Sequence, residues 1–121
     1  MAADPFEQVE DAPLFVVPRM LEALRSYRAG PKLADLPGPN PSPARERLAS
    51  QLDYLSSTMI EGIEAHPTKF WVLKQFQQSL LAVEQEDAEA REHFGNELGR
   101  LLEIVGIDSS DGVVEYYLSR Q

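Results

Sequence analysis

"SPARERLASQLDYLSSTMIEGIEAHP" spans residues 42–67 and predicts the longest helix of the chain. Ser42 and Pro43 are the residue types preferred at an N-cap and at the first helical position. Apolar residues then recur every three or four positions, which is the spacing of one helix face: Leu48, Leu52, Leu55, Met59 and Ile63. His66 precedes a proline, and such a residue avoids the helical region, so the helix is expected to end there.

Helical spacing continues on both sides of this stretch. Upstream, a helix is expected to start at Pro18 and to stop at Gly30, which is followed by another proline. Downstream, Thr68 and Asp87 have the residue types that cap two further helices. Strict alternation of apolar and polar residues, the mark of a strand, appears nowhere at useful length. The sequence therefore predicts an all-α fold: a compact bundle of four main helices plus a short C-terminal helix, in a single domain.

The first two helices are separated by a proline-rich linker. "GPKLADLPGPNPSP" (residues 30–43) holds five prolines, so it cannot form a regular helix or a central strand. Leu33 and Leu36 are expected to pin this linker to the core.

The N-terminal end is expected to contribute less to the fold. Residues 1–12 are polar and acidic and are expected to form a loose segment, which leaves residues 13–121 as the single helical domain. The apolar segment "PLFVV" at residues 13–17 fits either an extended piece or the first turns of a kinked helix.

"GIDSSDG" (Gly106–Gly112) could bind an ion or only turn the chain. A glycine just past the last periodic residue is typical of a helix C′ position, and Ile107 supplies the apolar contact that accompanies such a stop. A calcium loop that has its glycine at position 6 would place Ile107 at position 1, where a ligand is needed. A phosphate loop needs more glycines and a lysine. The stretch therefore indicates a turn into a short last helix, capped by Asp108, Ser109 or Ser110.

Composition excludes several classes of function. Cysteine is absent, which removes disulfides, thiolate catalysis and zinc–thiolate sites. The net charge of −9 repels phosphate backbones, so nucleic acid is not an expected partner. No apolar run reaches the roughly 18 residues of a membrane span, so no membrane association is expected. The N-terminus shows neither the basic segment nor the apolar segment of a signal peptide, and a cytoplasmic location is expected.

The histidines and serines offer little catalytic chemistry. His93 lies between Glu89 and Glu97 on one helix face, which is expected to be solvated because it lies off the apolar stripe. The Glu-x-x-His pattern of di-iron bundles is absent, since residue 90 is alanine. No serine has the glycine-framed motif of a nucleophile elbow. The sequence therefore indicates a protein that is not an enzyme, with no catalytic residues, no metal site and no cofactor.

Trp71 and two helical glycines raise separate questions. Trp71 falls nearly opposite Phe76 and Leu80 on a helical wheel, so it is either covered by another segment, such as "PLFVV" or the last helix, or exposed as a binding anchor. Gly95 and Gly99 lie one turn apart inside a helix, where each costs about 1 kcal/mol relative to alanine. The expected reason is close approach of another helix or of a partner's side chain.

The acidic residues are concentrated in the last third of the chain. Ten carboxylates lie between Glu84 and Glu115, against only Arg91 and Arg100. Such a surface favours a basic protein partner, although solubility alone would also account for it. The residues predicted to contact a partner are Glu89, Glu92, Asp108, Asp111, Glu115 and Trp71.

"EQEDAEAREHFGNELGRLLEIVGIDSSDGVVEYYL" (residues 84–118) resembles the ending of a bacterial family of small, acidic, all-helical proteins of unknown function. In that family an acidic helix start leads to a "G-I-x-S-S-D-G" turn, and the matching pieces here are Glu86–Glu92 and Gly106–Gly112. The resemblance covers residues 45–118. It implies an immunity protein that neutralises a toxin made by the same cell. The acidic surface is then expected to meet a basic toxin, and the lack of a visible signal peptide indicates a toxin that acts in the cytoplasm.

Two other classes of function remain open at this point. One is a self-associating structural or regulatory helical domain, whose homodimer interface would cover Trp71 or the groove beside Gly95 and Gly99. The other is an enzyme or small-ligand binder, which would need a pocket.

Overall fold

The fold is an all-α bundle. The computed structural model describes residues 4–40 and 42–119. Within those ranges one 3₁₀ helix, η1 (Pro5–Gln8), precedes five α-helices: α1 (Pro18–Ala29), α2 (Pro43–Gly62), α3 (Lys69–Ala82), α4 (Ala88–Ile104) and α5 (Val113–Leu118). The described residues contain one isolated β-bridge and no strand. The predicted bundle of four main helices plus a short C-terminal helix is confirmed, and η1 is an addition that the sequence did not predict.

Side-chain caps start three of the main helices, as predicted. Each cap accepts a hydrogen bond from an N–H group that has no partner inside the helix, which stabilises the fold by about 1 kcal/mol. The three pairs are Ser42 with the N–H of Arg45, Thr68 with that of Trp71 and Asp87 with that of Ala90.

The helix α2 ends four residues earlier than predicted. Its last helical residue is Gly62, and the chain then turns with the N–H of His66 bonded to the Gly62 carbonyl at 2.9 Å. The reason is Pro67, because a proline ring collides with the carbonyl of the residue four positions before it, which here is Ile63. A proline therefore ends a helix a full turn upstream of itself.

The predicted glycine stop of α4 is confirmed. Gly106 has a φ of 78°, a left-handed conformation that glycine adopts without strain. Its N–H bonds to the carbonyl of Glu103, and the N–H of Ile107 bonds to that of Leu102 at 2.9 Å. This pair of bonds is a Schellman motif, and the buried Ile107 side chain completes it.

The cap of α5 differs from the prediction. Gly112, with a φ of 88°, is the N-cap, and it offers no side chain to the helix. Ser110 still contributes, because its hydroxyl accepts a hydrogen bond from the N–H of Val114 at 3.2 Å. Neither Asp108 nor Ser109 is the cap of this helix.

The core lies around α2, which packs against α1, α3 and α4. The predicted stripe of α2 is fully buried, and it meets aromatic side chains from α3 and α4. The largest completely buried side chains are Phe76, Phe94, Leu24, Leu33, Leu48, Leu52, Leu55, Met59, Ile63, Leu73, Leu98 and Leu101.

The N-terminal segment predicted to be loose contacts α3 through Phe6 and Asp11; residues 1–3 lie outside the described part of the chain. Phe6 is buried, meets the ring of Phe70 edge-on at a centroid distance of 5.3 Å and lies 4.0 Å from the Lys74 ammonium. Asp11 accepts a hydrogen bond from the N–H of Phe70 at 2.8 Å. Asp4 and Asp11 accept hydrogen bonds from backbone N–H groups, so the polar composition of this segment did not mean that it lacks structure.

Residues 13–17 are extended, which decides between the two predicted conformations. Pro13 forms the isolated bridge with Thr68, and the N–H of Leu14 bonds to the carbonyl of Pro67 at 2.7 Å. This pairing holds the segment across the start of α3.

Charged side chains hold the proline-rich linker to the bundle. Leu33 is only 1% exposed, as predicted, but its φ of 61° is strained for a leucine. Arg45 donates to the carbonyls of Leu33 and Leu36 at 2.7 and 2.5 Å. Lys32, nearly buried, donates to the carbonyl of Arg28 and lies 3.0 Å from an oxygen of Asp53. These contacts offset the strain at Leu33.

Glu97 is the buried centre of this arrangement. Its side chain accepts hydrogen bonds from the Tyr27 hydroxyl at 2.8 Å and from the N–H of Leu33 at 3.0 Å. It is 4% exposed, so the prediction that it shares a solvated face with Glu89 and His93 is wrong. Burial of the Tyr27 phenol raises the pKa of Tyr27 above that of a free tyrosine, and the hydrogen bond to Glu97 raises it further.

Candidate partner-binding surface

The outward face of α4 is an acidic strip. Glu89, Glu92 and Glu103 are exposed, and the residues between them on the same face, Asn96 and Gly99, are exposed as well. Positions three or four apart line one side of a helix, so these residues form a row about 21 Å long at a rise of 1.5 Å per residue. We call this row the α4 strip.

The acidic residues beyond α4 extend this surface but do not form one cluster with the α4 strip. Asp108 is exposed just after the glycine stop, at the far end of α4 from Glu89. Glu115 is exposed on α5 and accepts a hydrogen bond from the Ser110 hydroxyl at 3.1 Å. Arg91 donates to the carbonyl of Leu118 at 2.9 Å, which places the end of α5 beside the first half of α4. The predicted acidic contacts are therefore spread over α4, the turn that follows it and α5.

Asp111 has a structural role. Its carboxylate accepts from the Lys69 ammonium at 2.6 Å and from the N–H of Glu10 at 2.9 Å. It is half-buried, and its backbone has a φ of 54°. The hydrogen bond from Lys69 holds the pKa of the Asp111 carboxyl below its usual range, and the hydrogen bond from Glu10 lowers this pKa further. The residue ties the last turn to α3 and to the N-terminal segment, and its contact with a partner stays a prediction.

Trp71 is half-buried and covered by the end of α2. Its ring stacks on the His66 ring, with a centroid distance of 5.3 Å and an angle of 17° between the planes. A Cβ placed on Gly62 would lie only 2.6 Å from the indole, so this glycine makes room for the tryptophan. The sequence did not predict that the end of α2 would cover the ring, and a partner reaches only the part of it that stays exposed.

The two glycines of α4 have different surroundings. A Cβ on Gly95 would collide with the side chain of Leu118, so the chain's own α5 fills that position. Nothing lies within 4 Å of a Cβ placed on Gly99, which belongs to the exposed α4 strip. Gly99 therefore lowers helix stability relative to alanine, and no packing within the chain offsets this cost.

An apolar groove that sequence reasoning missed runs between α1 and α4. Its wider end has a volume of about 510 Å³ and is lined by Leu14, Phe15, Val17, Met20 and Ile104. Phe15 is 82% exposed and Val17 is 47% exposed. The apolar run between two prolines was the available signal, but the sequence did not indicate which of its residues would be left uncovered.

Neither a group of metal-ligating side chains nor a membrane-spanning helix is found in the described parts of the chain. Within residues 4–40 and 42–119, no three His, Asp or Glu side chains group as a metal ion would require. None of the described helices is long and apolar enough to cross a bilayer.

A family model described as "Domain of unknown function (DUF4844)" matches residues 18–120. The match begins at the first residue of α1 and spans all five α-helices, whereas η1 and the extended segment precede it. No curated protein matches the chain, and no solved structure matches it either.

Proposed function

The chain belongs to the DUF4844 family, whose function is unknown, and we propose that it is a non-enzymatic, acidic module that binds a basic protein. Its most concrete form is an immunity protein that neutralises a cognate bacterial toxin.

The main support is the unequal use of acidic and basic side chains inside the fold. Eight basic side chains are engaged by other parts of the chain: Lys32, Lys69, Arg47 and Arg100 by carboxylates, Arg45 and Arg91 by carbonyls, Arg28 by the Ser57 hydroxyl and Lys74 by aromatic rings. In contrast, Glu89, Glu92 and Asp108 are exposed and form no hydrogen bond or ion pair with another described residue. The surface field is therefore negative, which steers a basic partner toward it.

The buried carboxylate of Glu97 is occupied by structural bonds, which supports a binding rather than a catalytic role. A general acid or base must reach a substrate, but both Glu97 oxygens are taken by Tyr27 and Leu33 inside the bundle. The toxin-neutralising form rests on the resemblance of Glu86–Glu92 and Gly106–Gly112 to the family ending described above.

The test measures association with the basic proteins encoded next to the gene, with and without the α4 strip charges. The variant Glu89→Gln/Glu92→Gln/Asp108→Asn should slow association about tenfold at low salt and leave dissociation nearly unchanged, because solvent-exposed charges at the rim of an interface act mainly on the encounter rate. The matched control Asp35→Asn/Glu61→Gln/Glu64→Gln removes the same charge from exposed positions elsewhere. If the control slows association equally, or if none of these proteins binds, the proposal is wrong.

The toxin-neutralising form has its own readout. Co-expression of the chain should restore growth to cells that express the basic neighbour, and the Glu89→Gln/Glu92→Gln/Asp108→Asn variant should restore it less well. Binding without any rescue of growth would leave the binding module and remove the immunity role.

A further inference from the structure

Residues 4–14, which we call the strap, lie across the start of α3. The Asp11 carboxylate accepts a hydrogen bond from the N–H of Phe70 at 2.8 Å. The Ala12 carbonyl accepts one from the N–H of Lys69 at 2.9 Å. The strap therefore satisfies two of the N–H groups that the first turn of a helix leaves without a partner of its own.

Phe6 is the apolar anchor of the strap. Within residues 4–14 it alone has a buried side chain, and its ring meets that of Phe70 edge-on at a centroid distance of 5.3 Å. The Lys74 ammonium lies 4.0 Å from the centroid of the Phe6 ring and 5.3 Å from that of the Phe70 ring. The surface of α3 thus receives an aromatic ring between a cation and a second ring, which is a specific arrangement for such a side chain.

The strap and the surface beneath it have opposite charges. The strap carries four carboxylates and no basic side chain: Asp4, Glu7, Glu10 and Asp11. The surface presents Lys74, the positive end of the α3 dipole and Lys69, which Asp111 also binds. In a chain of net charge −9, an acidic, aromatic segment covers a cationic part of the bundle, so the two surfaces are complementary in charge as well as in shape.

A short extended hinge, residues 15–17, joins the strap to α1. Phe15 and Val17 are exposed, so the bundle holds the hinge only loosely. The family match begins at Pro18 and spans all five α-helices, so the strap and the hinge precede the part that the family model describes. The four residue steps from Leu14 to Pro18 span at most about 14 Å when extended. A strap that leaves its own bundle can therefore reach only a copy that lies directly alongside.

A surface that holds a segment of its own chain binds the same segment of a second copy through the same contacts, so exchange needs no new interface. We propose that the start of α3 is a binding site for an acidic peptide with an aromatic residue five positions before an aspartate, and that its partner is the strap of a second copy. A segment on a short linker has an effective concentration on the order of 1 mM at its own site. In dilute solution the strap of the same chain therefore keeps the site closed.

Two complementary full-length variants test the exchange. The strap variant, Phe6→Ser/Asp11→Ala, loses the anchor and the carboxylate but keeps the site. The site variant, Phe70→Ser/Lys74→Glu, loses the ring and the cation but keeps the strap. In sedimentation equilibrium each variant alone should stay monomeric, whereas the mass of an equimolar mixture should approach that of two chains, because a free strap then meets a free site. Its Kd should lie below about 1 mM, since the strap docks in its own chain at that effective concentration.

The matched control combines all four substitutions in one chain, and its mixture with the strap variant should stay monomeric. Circular dichroism should show that every variant keeps the helical content of the wild type. If the site variant loses helix, a synthetic peptide of residues 4–14 replaces it, and calorimetry measures the binding of this peptide to the strap variant.

Three results would overturn the proposal. The first is a mixture that stays monomeric, or a peptide that does not bind, up to about 1 mM. The second is a heterodimer that also forms with the control chain. The third is a loss of helical content in the strap variant, because the bundle would then depend on its own strap. None of these variants alters the α4 strip, so the proposed function is tested separately.

Discussion

The hydroxyl of Tyr27 donates to the carboxylate of Glu97 at 2.8 Å, across 70 residues of sequence. The bond ties α1 to α4, and the second oxygen of the same carboxylate accepts the N–H of Leu33 in the linker. One buried side chain therefore holds two helices and the proline-rich connection between α1 and α2.

Replacing Glu97 by glutamine should destabilise the fold by about 1–3 kcal/mol, the cost of leaving a buried polar group without its partner. A glutamine can accept from only one of Tyr27 and Leu33, and its NH₂ group then faces a donor. Urea unfolding at pH 7 measures the loss. Glu89→Gln, an exposed change on the same helix, should alter the free energy of unfolding by less than about 0.5 kcal/mol. Equal effects of the two variants would contradict the role of Glu97.

Asp111→Asn should lower the urea midpoint at pH 7, and the difference from wild type should shrink in acid. Lys69 and Glu10 hold the folded-state pKa of Asp111 below the unfolded value of about 4. The carboxylate therefore contributes stability above that pH, and this contribution is lost as the pH falls through the folded-state pKa. Urea midpoints between pH 7 and pH 2 test this expectation. Asp108→Asn, which removes an exposed carboxylate that has no partner among the described residues, should leave the urea midpoint at pH 7 nearly unchanged.

The glycines at 62 and 99 should respond to alanine in opposite directions. Gly62→Ala pushes a methyl group against the rigid Trp71 ring and should destabilise the fold by about 1–3 kcal/mol, as overpacking does. Gly99→Ala meets open space inside a helix and should stabilise it by about 0.5–1 kcal/mol. Thermal unfolding measures both changes. Since Trp71 is the sole tryptophan, its emission should shift in Gly62→Ala and stay constant in Gly99→Ala.

Arg45→Met should release the linker without unfolding the helices. The guanidinium is bonded to the carbonyls of Leu33 and Leu36, and methionine keeps the stem but removes those donors. Amide hydrogen exchange at Leu33 and Leu36 should accelerate at least about tenfold, while exchange at Leu55 stays slow, because local opening does not require global unfolding. Arg28→Met removes an arginine that bonds to Ser57 on the surface, and linker exchange should then be unchanged.

Local signals made most of the fold predictable. The caps at Ser42, Thr68 and Asp87 and the glycine stop at Gly106 each depend on hydrogen bonds that span at most five residues. Such bonds are specified by spacing alone, so they can be read without knowing how the helices pack.

Polar residues with distant partners were not predictable in this way. Glu97 is buried because Tyr27 and Leu33 approach it from 70 and 64 positions away, and a helical wheel contains neither of them. Asp111 was assigned to the surface for the same reason, since its partner Lys69 is 42 positions away. On an acidic helix, the sequence does not distinguish a carboxylate that faces water from one that faces a buried hydrogen-bond donor.

Phe15 shows the opposite limit of prediction from sequence, because it is an apolar residue that the fold leaves exposed. An apolar side chain is normally expected to be buried, yet the burial of Phe15 depends on what the bundle leaves over it. Its neighbour Leu14 is half-buried and Phe15 is not, because alternate residues of an extended segment point to opposite sides.

The contact between Glu10 and Asp111 also bears on the order in which the chain folds during synthesis. The N-terminal residues leave the ribosome first, but the carboxylate that binds the N–H of Glu10 is made 101 residues later. A nascent chain that has reached only Gly106 lacks both Asp111 and α5, although Asp11 and Pro13 already have their partners Phe70 and Thr68 at the start of α3. The hydrogen bond from Glu10 and the packing of η1 on α5 therefore form only once α5 has been synthesised, and this edge of the bundle stays incomplete until then.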